Sequence, residues 1–166
     1  MPMDDKTRRR SAAAALAVVI AVPAEGLRQW AYYDPPGILT VCRGHTGADV
    51  QKNRLYSLAE CDQYLSDDMR KAVATVDACV PGLPVPVLAA FSDAAFNIGP
   101  KIACDPAHST AARYLKAGEL AAACQQLPRW DKASVGGVMV SLPGLTKRRA
   151  AEMALCLQGA QDARIP

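Results

Sequence analysis

Residues 25–47 read EGLRQWAYYDPPGILTVCRGHTG, and this stretch decides the fold. Asp34-Pro35-Pro36-Gly37 within it is a strong turn signal. The next residues, Ile38–Cys42, are largely β-branched or apolar and predict a strand, and the glycines that follow mark further turns. We therefore expect a small β lobe from residue 25 to about residue 56.

The chain changes to a helical texture after this stretch. Ser57-Leu58-Ala59-Glu60 is a capping box, which predicts a helix running toward Ala78 with one apolar face. Further helices are predicted over about 87–98, 109–116, 119–127 and 146–157, and residues 134–144 are predicted to form a Gly-rich loop. The expected fold class is α+β, mostly helical, with a small sheet beside a helical bundle.

The N-terminal segment is a run of 14 uncharged residues, Ser11–Ala24, preceded by the basic Arg8–Arg10. As a helix it would reach roughly 21 Å, which is short against a hydrocarbon core of about 30 Å. Three interpretations remain open. The segment is a signal peptide cleaved near Val22-Pro23-Ala24, a weak membrane anchor that later leaves the bilayer, or the buried first helix of a soluble domain. The chain is accordingly divided at residues 1–24 and 25–166.

Composition limits the partners. The formal net charge is only +3 and the basic residues are mostly scattered, which argues against a nucleic-acid partner. The six cysteines contain no C-x-x-C pair, so we expect neither a metal nor a cofactor. Their even number favours three disulfides in an oxidising compartment over six reduced thiols, but six cysteines allow 15 connectivities and the sequence alone does not choose. They are Cys42, Cys61, Cys79, Cys104, Cys124 and Cys156.

Three residues of the opening stretch are candidates for chemistry. Glu25 follows the apolar segment directly, and partial burial would favour its protonated form, as a general acid needs. Asp34 lies in a polar turn and should stay ionised, and the Thr40 hydroxyl is placed to hold a water for Asp34 to activate. Two carboxyls in contrasting environments are typical of glycosidic-bond hydrolysis, although an isolated Glu and Asp more often lie on a solvated surface.

The spacing of these residues closely resembles phage-type lysozymes of glycoside hydrolase family 24. The family pattern is E-G-x-R-x-x-x-Y-x-D-x-x-G-x-x-T-x-x-x-G-H-T, and Glu25, Asp34 and Thr40 fall on its catalytic positions. The resemblance continues to about Leu157 through Phe96-Asn97-Ile98-Gly99, Ser109-Thr110, Arg129-Trp130, Leu142–Leu145 and Arg148–Glu152. It implies a lysozyme-like fold with the active-site cleft between a β lobe and a helical lobe.

The resemblance also implies a reaction on peptidoglycan glycan strands. Glu25 would protonate the leaving oxygen of a MurNAc–GlcNAc β-1,4 bond while Asp34, helped by Thr40, directs water to the opposite face with inversion. The two carboxyls would then be about 6.5–9.5 Å apart. Thr46, Phe96 and Ser109 would line the sugar subsites. His45 resembles a residue that supports the acid, and Arg28 and Arg149 are candidates to pair with Glu25 or with buried carboxylates.

The N-terminal segment resembles that of signal-anchor-release endolysins, which are exported by the host Sec machinery, held at the inner membrane and then released into the periplasm. The short apolar run and Pro23 depart from that pattern, so constitutive secretion and cytoplasmic storage stay open. By resemblance to exported members we favour the pairings Cys42–Cys61, Cys79–Cys104 and Cys124–Cys156, with a Cys42 thiol able to gate activity by exchange. We expect a monomer. Two other functions stay open, a wall-binding protein without catalysis and a membrane-disrupting lysis protein.

Overall fold

The computed structural model describes residues 3–34 and 37–163. Within these residues a three-stranded sheet follows the first helix along the chain, six further α-helices follow the sheet, and a separate hairpin precedes the last helix. The elements are α1 Asp5–Ala24, β1 Arg28–Tyr33, β2 Leu39–Cys42, β3 His45–Thr46, α2 Leu58–Cys79, α3 Val85–Ile98, α4 Lys101–Cys104, α5 Thr110–Ala117, α6 Leu120–Cys124, a 3₁₀ helix Leu127–Trp130, β4 Lys132–Val135, β5 Val138–Ser141 and α7 Pro143–Asp162. The expected α+β architecture, mostly helical with a small sheet, is confirmed.

Helix α3 is the centre of the helical lobe. Every residue from 87 to 95 is buried, and α3 packs against α1, α2 and α7. A Cβ atom added to Gly159 of α7 would lie 2.8 Å from Cβ of Pro86. Only glycine therefore lets α7 approach the start of α3 this closely.

Helix α1 packs on the helical lobe through a face of small side chains. Its buried residues are Ala13, Ala14, Ala17 and Ala21, and Pro23 lies in its last turn. The residues of this segment thus form a packed first helix in the structure. Among the described residues, no helix combines the length and apolarity needed to cross a membrane.

The small sheet has the order β1-β2-β3 and is antiparallel throughout. Thr40 on β2 is paired with Tyr32 on β1 and with Thr46 on β3. The sheet has its own small core, made of Val41, Cys42, Val50, Tyr56 and Cys61. The turn predicted at 34–37 includes Pro35 and Pro36, which lie outside the described residues, but Gly37 donates its N–H to the carbonyl of Asp34 and has a φ of 84°, as a turn requires.

Several predicted elements differ from those observed. The capping box of Ser57 and Glu60 is present and α2 runs one residue past the expected end. The loop predicted over 134–144 is wrong, because Lys132–Val135 and Val138–Ser141 pair as a hairpin. Gly136 and Gly137 both have positive φ, which is the conformation of a two-residue hairpin turn. The last helix begins at Pro143 rather than near 146, and the helix expected over 119–127 is only α6, followed by the 3₁₀ helix.

All six cysteines are paired, and the pairs are those that the resemblance favours. Cys42–Cys61 joins β2 to α2, Cys79–Cys104 joins α2 to α4, and Cys124–Cys156 joins α6 to α7. One disulfide therefore links the sheet to the helical lobe, and the other two link helices within that lobe.

Candidate active site

Glu25 caps the C-terminus of α1. Its backbone N–H donates to the carbonyl of Ala21, so its position along the chain is fixed by the last turn of the helix. The guanidinium of Arg43 donates to the carbonyl oxygens of both Val22 and Glu25 and holds the end of the helix against the turn between β2 and β3. Gly44 in that turn lies close to the Glu25 carboxyl, since a Cβ added there would be 3.9 Å from Oε2.

The Glu25 carboxyl binds Arg148 of α7. Nη1 of Arg148 lies 2.5 Å from Glu25 Oε1, and the Glu25 side chain is 22% exposed. Arg148 is itself buried and donates from Nε and Nη2 to the two carboxylate oxygens of Asp93 on α3, at 2.9 and 2.8 Å. Burial lowers the pKa of the Arg148 guanidinium, but the contacts with Asp93 and Glu25 outweigh it and raise this pKa above its usual value.

Two carboxyls, those of Glu25 and Asp93, share the Arg148 guanidinium. An arginine contact favours an ionised carboxylate and opposes the effect of burial. The charge of Arg148 is also matched by Asp93, which binds the guanidinium through both carboxylate oxygens. Glu25 thus contacts a neutral ion pair and reaches solvent with part of its side chain.

Asp34 and Thr40 both hydrogen-bond to the backbone of Ile38, just before β2 begins. Asp34 Oδ1 accepts the N–H of Ile38 at 2.7 Å, and the Thr40 hydroxyl donates to the Ile38 carbonyl at 3.0 Å. The Thr40 hydroxyl proton is therefore used, and its oxygen keeps lone pairs that can accept a further hydrogen bond, although the residue is only 3% exposed. The structure brings these two residues together in the β lobe, and it joins Glu25 to the helical lobe.

The three residues expected at sugar subsites differ in their surroundings. Thr46 is exposed on β3 beside Thr40 and stays a candidate for sugar contact. Phe96 is half-buried against the helical core, with the Arg148 guanidinium 5.9 Å from its ring centre. Phe96 therefore also packs behind the Glu25–Arg148 pair.

Ser109, the third residue expected at a sugar subsite, is buried in the structure. Its residue is 1% exposed, its hydroxyl donates to the Ile102 carbonyl at 2.6 Å, and the same oxygen accepts the N–H of Ala112. The hydroxyl is the N-cap of α5 and is not presented to a sugar in this structure. The neighbouring Thr110 instead lines a surface cavity of about 270 Å³, together with His108, Gln126, Arg129 and Trp130.

The His45 ring has contacts on one face and at both nitrogens. Its ring stacks on Tyr64 with centroids 3.9 Å apart, Nδ1 lies 2.6 Å from Asp68, and Nε2 lies 3.2 Å from Asp49. The residue is 6% exposed. Both ring nitrogens therefore have carboxylate partners, and the role of His45 in supporting Glu25 stays a prediction.

The partner of Glu25 was not among the residues singled out for it. Arg28 stacks on the Tyr32 ring and does not pair with Glu25. Arg149 lies 2.9 Å from Glu152, so it pairs with a buried carboxylate, which was the other alternative, and not with Glu25. Two sequence signals could have found the true network. Asp93 is a lone charge inside the apolar stretch VPVLAAFSDAAFNI, and consecutive arginines near the start of a helix oppose its dipole unless they are paired.

A helix-end glutamate beside a small sheet that carries an aspartate and a threonine, in a mostly helical α+β fold, defines a lysozyme-type hydrolase. The family model for phage lysozyme matches residues 23–152, and the chain belongs to this family. It is 35% identical over 138 residues to the SAR-endolysin of Bacteriophage PS119, covering 82% of this chain and 78% of that protein. It is also 33% identical over 157 residues to the SAR-endolysin of Pseudomonas phage phiKMV, covering 94% of each.

Among solved structures, the muramidase domain of SpmX from Asticaccaulis excentricus superposes with a TM-score of 0.74 at 28% identity, over 85% of this chain and 94% of that one. The family and these relatives make the chain a peptidoglycan-hydrolysing endolysin. The matched range begins two residues before Glu25 and ends at Glu152. It therefore includes all the ionisable groups described around the candidate acid.

Proposed function

We propose that the chain is an N-acetylmuramidase that hydrolyses the MurNAc–GlcNAc β-1,4 bond of peptidoglycan with inversion. Glu25 is the general acid that protonates the leaving oxygen. Asp34 is the base that takes a proton from the attacking water, and the Thr40 oxygen accepts a hydrogen bond from that water and orients it. The observation that carries the proposal is the placement of Glu25 at a helix end against a neutralised arginine, with Asp34 and Thr40 bracketing Ile38.

The chemistry assigns different tasks to the two lobes. The helical lobe supplies a carboxyl that is partly shielded from water, which suits a group that must donate a proton. The sheet supplies the half-buried carboxyl of Asp34, which accepts a backbone N–H from Ile38. Inversion requires a water between the second carboxyl and the sugar, so we expect a carboxyl separation of about 6.5–9.5 Å.

The test is digestion of purified peptidoglycan sacculi by the wild type and by Glu25→Gln. General acid catalysis contributes about 10²–10⁴-fold, so we expect Glu25→Gln to lose at least about 10²-fold in kcat while it still binds sacculi and keeps the wild-type Tm. Glu119→Gln, at an exposed glutamate of the helical lobe, is the matched control and should keep full activity.

The products separate the remaining alternatives. Hydrolysis gives MurNAc with a reducing end, whereas a lytic transglycosylase gives an anhydro sugar and does not need the Asp34–Thr40 pair. Sacculi that bind the wild type but are never cut would indicate a wall-binding protein. Lysis of cells that persists in Glu25→Gln would indicate a membrane-disrupting protein.

We further propose that residues 1–24 direct export by the host Sec machinery and lie transiently in the inner membrane. After release, α1 packs on the helical lobe. The released enzyme is then a periplasmic monomer that binds no nucleic acid. The support is that Glu25 is the cap of α1, so the acid meets Arg148 only when α1 leaves lipid. Fractionation of host cells before and after membrane depolarisation tests this. A signal peptide would be cleaved near residue 24, and a stored cytoplasmic enzyme would stay soluble in both samples.

Cys42 is bonded to Cys61 and fully buried, two residues from Thr40. Gating of activity through a Cys42 thiol therefore requires this bond to open first, and it stays a prediction.

A further inference from the structure

An arginine of the β lobe holds the backbone at the end of α1. Arg43, the first residue after β2, donates from Nη1 to the carbonyl oxygen of Val22 at 3.2 Å and to that of Glu25 at 3.3 Å. The last carbonyls of a helix have no partner inside the helix, and α1 has no basic residue in its last turn. Arg43 therefore supplies, from another element, the donor and the positive charge that stabilise a helix C-terminus.

The other contacts of Arg43 do not compete with this one. Among residues 3–34 and 37–163, no carboxylate lies within ion-pair distance of the Arg43 guanidinium, and its Nε is buried without a hydrogen-bond partner. Within this part of the chain, the charge of Arg43 is therefore matched by the partial negative charge at the end of α1.

The backbone just before Arg43 has an uncommon conformation. Cys42 has a φ of 61°, in the left-handed region that residues other than glycine seldom adopt. It is fully buried and bonded to Cys61 of α2, and surroundings of this kind can hold a strained residue in place. Such strain is found preferentially at functional sites. Here it lies where the chain leaves β2 and Arg43 reaches the end of α1.

The strand that leads to Arg43 also carries a residue of the proposed site. Thr40 precedes Arg43 by three residues on β2, which is about 10 Å of extended chain. Glu25 is thus held from both lobes. Arg148 of the helical lobe binds its carboxyl, whereas Arg43 binds its backbone and connects it to the strand of Thr40.

We propose that Arg43 is a positioning residue that fixes how far Glu25 lies from the proposed base and its water. The base, Asp34, belongs to the β lobe, where it and Thr40 both bond to the backbone next to β2. Without Arg43, the end of α1 would no longer be held to that strand, and a shift of about 1 Å in a catalytic group can cost about 10²-fold. Arg43 acts through Glu25 and contacts no sugar. This inference rests on the proposed role of Glu25 as general acid.

The experiment is steady-state kinetics on soluble peptidoglycan fragments for the wild type, Arg43→Met and Arg43→Lys, well below their melting temperatures. Methionine has an unbranched side chain and no donor. We expect Arg43→Met to lose about tenfold or more in kcat with KM changed by no more than about twofold, as for a group that acts only in the transition state. Arg43→Lys keeps a charge and a donor and should restore part of kcat.

Chemical rescue separates positioning from stability. Guanidinium chloride, at a concentration too low to denature the protein, should raise kcat of Arg43→Met, and sodium chloride at the same ionic strength should not. Arg113→Met is the matched control, because Arg113 is exposed and donates to the backbone carbonyl of Pro106 on the helical lobe. It should keep full kcat.

Two kinetic results would overturn the proposal. A lower Tm for Arg43→Met with full kcat for each folded molecule would show a merely structural role. A rise in KM with kcat unchanged would show that Arg43 binds the sugar directly.

If Arg43→Met does not fold, amide hydrogen exchange of the wild type and Arg43→Lys decides. The Glu25 N–H is bonded to the Ala21 carbonyl, so a weaker hold on the end of α1 should speed its exchange several-fold and leave exchange at Ala13 unchanged. Equal exchange at Glu25 in both proteins would refute the proposal. Wild-type protein that fails to cut sacculi contradicts the proposed function instead, and the exchange rates still test whether Arg43 holds the helix end.

Discussion

The hydroxyl of Ser109 is fully used in holding the helical lobe together. It caps α5 by accepting from Ala112 and ties α5 to α4 by donating to the Ile102 carbonyl. A buried carbonyl that loses its donor costs about 1–3 kcal/mol, and a lost N-cap costs about 1 kcal/mol. The energetic role of this residue is therefore large, and it does not require any contact with substrate.

We expect Ser109→Ala to lower the free energy of unfolding by about 2 kcal/mol and to leave KM for peptidoglycan fragments nearly unchanged. Denaturant unfolding and steady-state kinetics measure the two effects separately. Ser57→Ala removes an N-cap on the exposed start of α2 and gives the size of a cap alone. A several-fold rise in KM for Ser109→Ala at full stability would restore the sugar-contact role.

At the scale of single residues, local spacing identified Glu25, Asp34 and Thr40 as candidates because all three lie within 16 residues of one another. It did not identify Arg148, which is 123 positions from Glu25. Only the packing of α1 and α7 on α3 brings those two side chains together. Spacing along the chain predicts which residues lie close together within one element or turn. Contact with a residue on a distant element depends instead on the angles at which the helices cross.

Helix α1 is fastened to the helical lobe near its N-terminus by an ion-paired aspartate. Asp77 of α2 has a 1% exposed side chain and accepts from Arg9 at 2.5 Å and from Arg10 at 2.6 Å. Burial alone would raise the pKa of Asp77, but the hydrogen bonds from Arg10 and Arg9 outweigh it and hold this pKa below the usual value. A lowered folded-state pKa means that the ionised carboxylate stabilises the fold.

The contribution of Asp77 to stability depends on pH. The contribution of Asp77 is complete above the pKa of an unfolded aspartate, about 3.9, and is lost as the pH falls through the lower folded-state value. Hydrogen bonds to charged groups contribute about 1.5–3 kcal/mol, and 1 kcal/mol corresponds to about 2–4 °C in Tm for a chain of this size. We expect Asp77→Asn to lower Tm by about 5 °C at pH 7, with the difference shrinking below pH 4.

Thermal melts of Asp77→Asn and wild type at several pH values measure this effect. Asp62→Asn is the control on the same helix, because Asp62 is exposed and should show no difference at any pH. A Tm difference for Asp77→Asn that is constant from pH 7 to pH 3 would mean that the hydrogen bonds do not depend on the carboxylate charge.

At the scale of elements, the helices with strong local signals were predicted well. The capping box fixed the start of α2, and Gly118 ends α5 in the left-handed conformation of a C-cap. The sequence did not predict the β4–β5 hairpin, because a Gly-Gly pair is typical of irregular loops as well as of a hairpin turn between paired strands. Its four large apolar residues are all exposed, so the hairpin lacks the alternation of buried and exposed residues that predicts a strand; they are Val135, Val138, Met139 and Val140.

At the scale of the whole molecule, one helix connects the N-terminal segment, the core and the proposed acid. Helix α1 buries Ala17 and Ala21 against the helical lobe and ends at Glu25. The sequence predicted a small sheet beside a helical bundle, but it could not choose among three fates of residues 1–24. Small residues suit both close helix packing and a weakly apolar membrane segment, so composition alone does not distinguish these environments.

Glu25, the proposed acid, follows α1 directly, and Ala17 offers a way to disturb the packing of α1 two turns away from Glu25. Ala17 is fully buried, so Ala17→Leu should overpack the interface of α1 and cost about 1–3 kcal/mol. Ala12→Leu adds the same side chain on the exposed face of α1 and should change neither stability nor activity.

We expect Ala17→Leu to lower kcat as well as Tm, because a shift of about 1 Å in a catalytic group can cost about 10²-fold. Thermal melts and kinetics on soluble peptidoglycan fragments, both below the melting range, measure the two effects. If Ala17→Leu loses stability but each folded molecule keeps full activity, the position of Glu25 is set by its contact with Arg148 alone. If activity falls with stability, the docked helix itself places the acid, and undocking α1 is sufficient to switch the enzyme off.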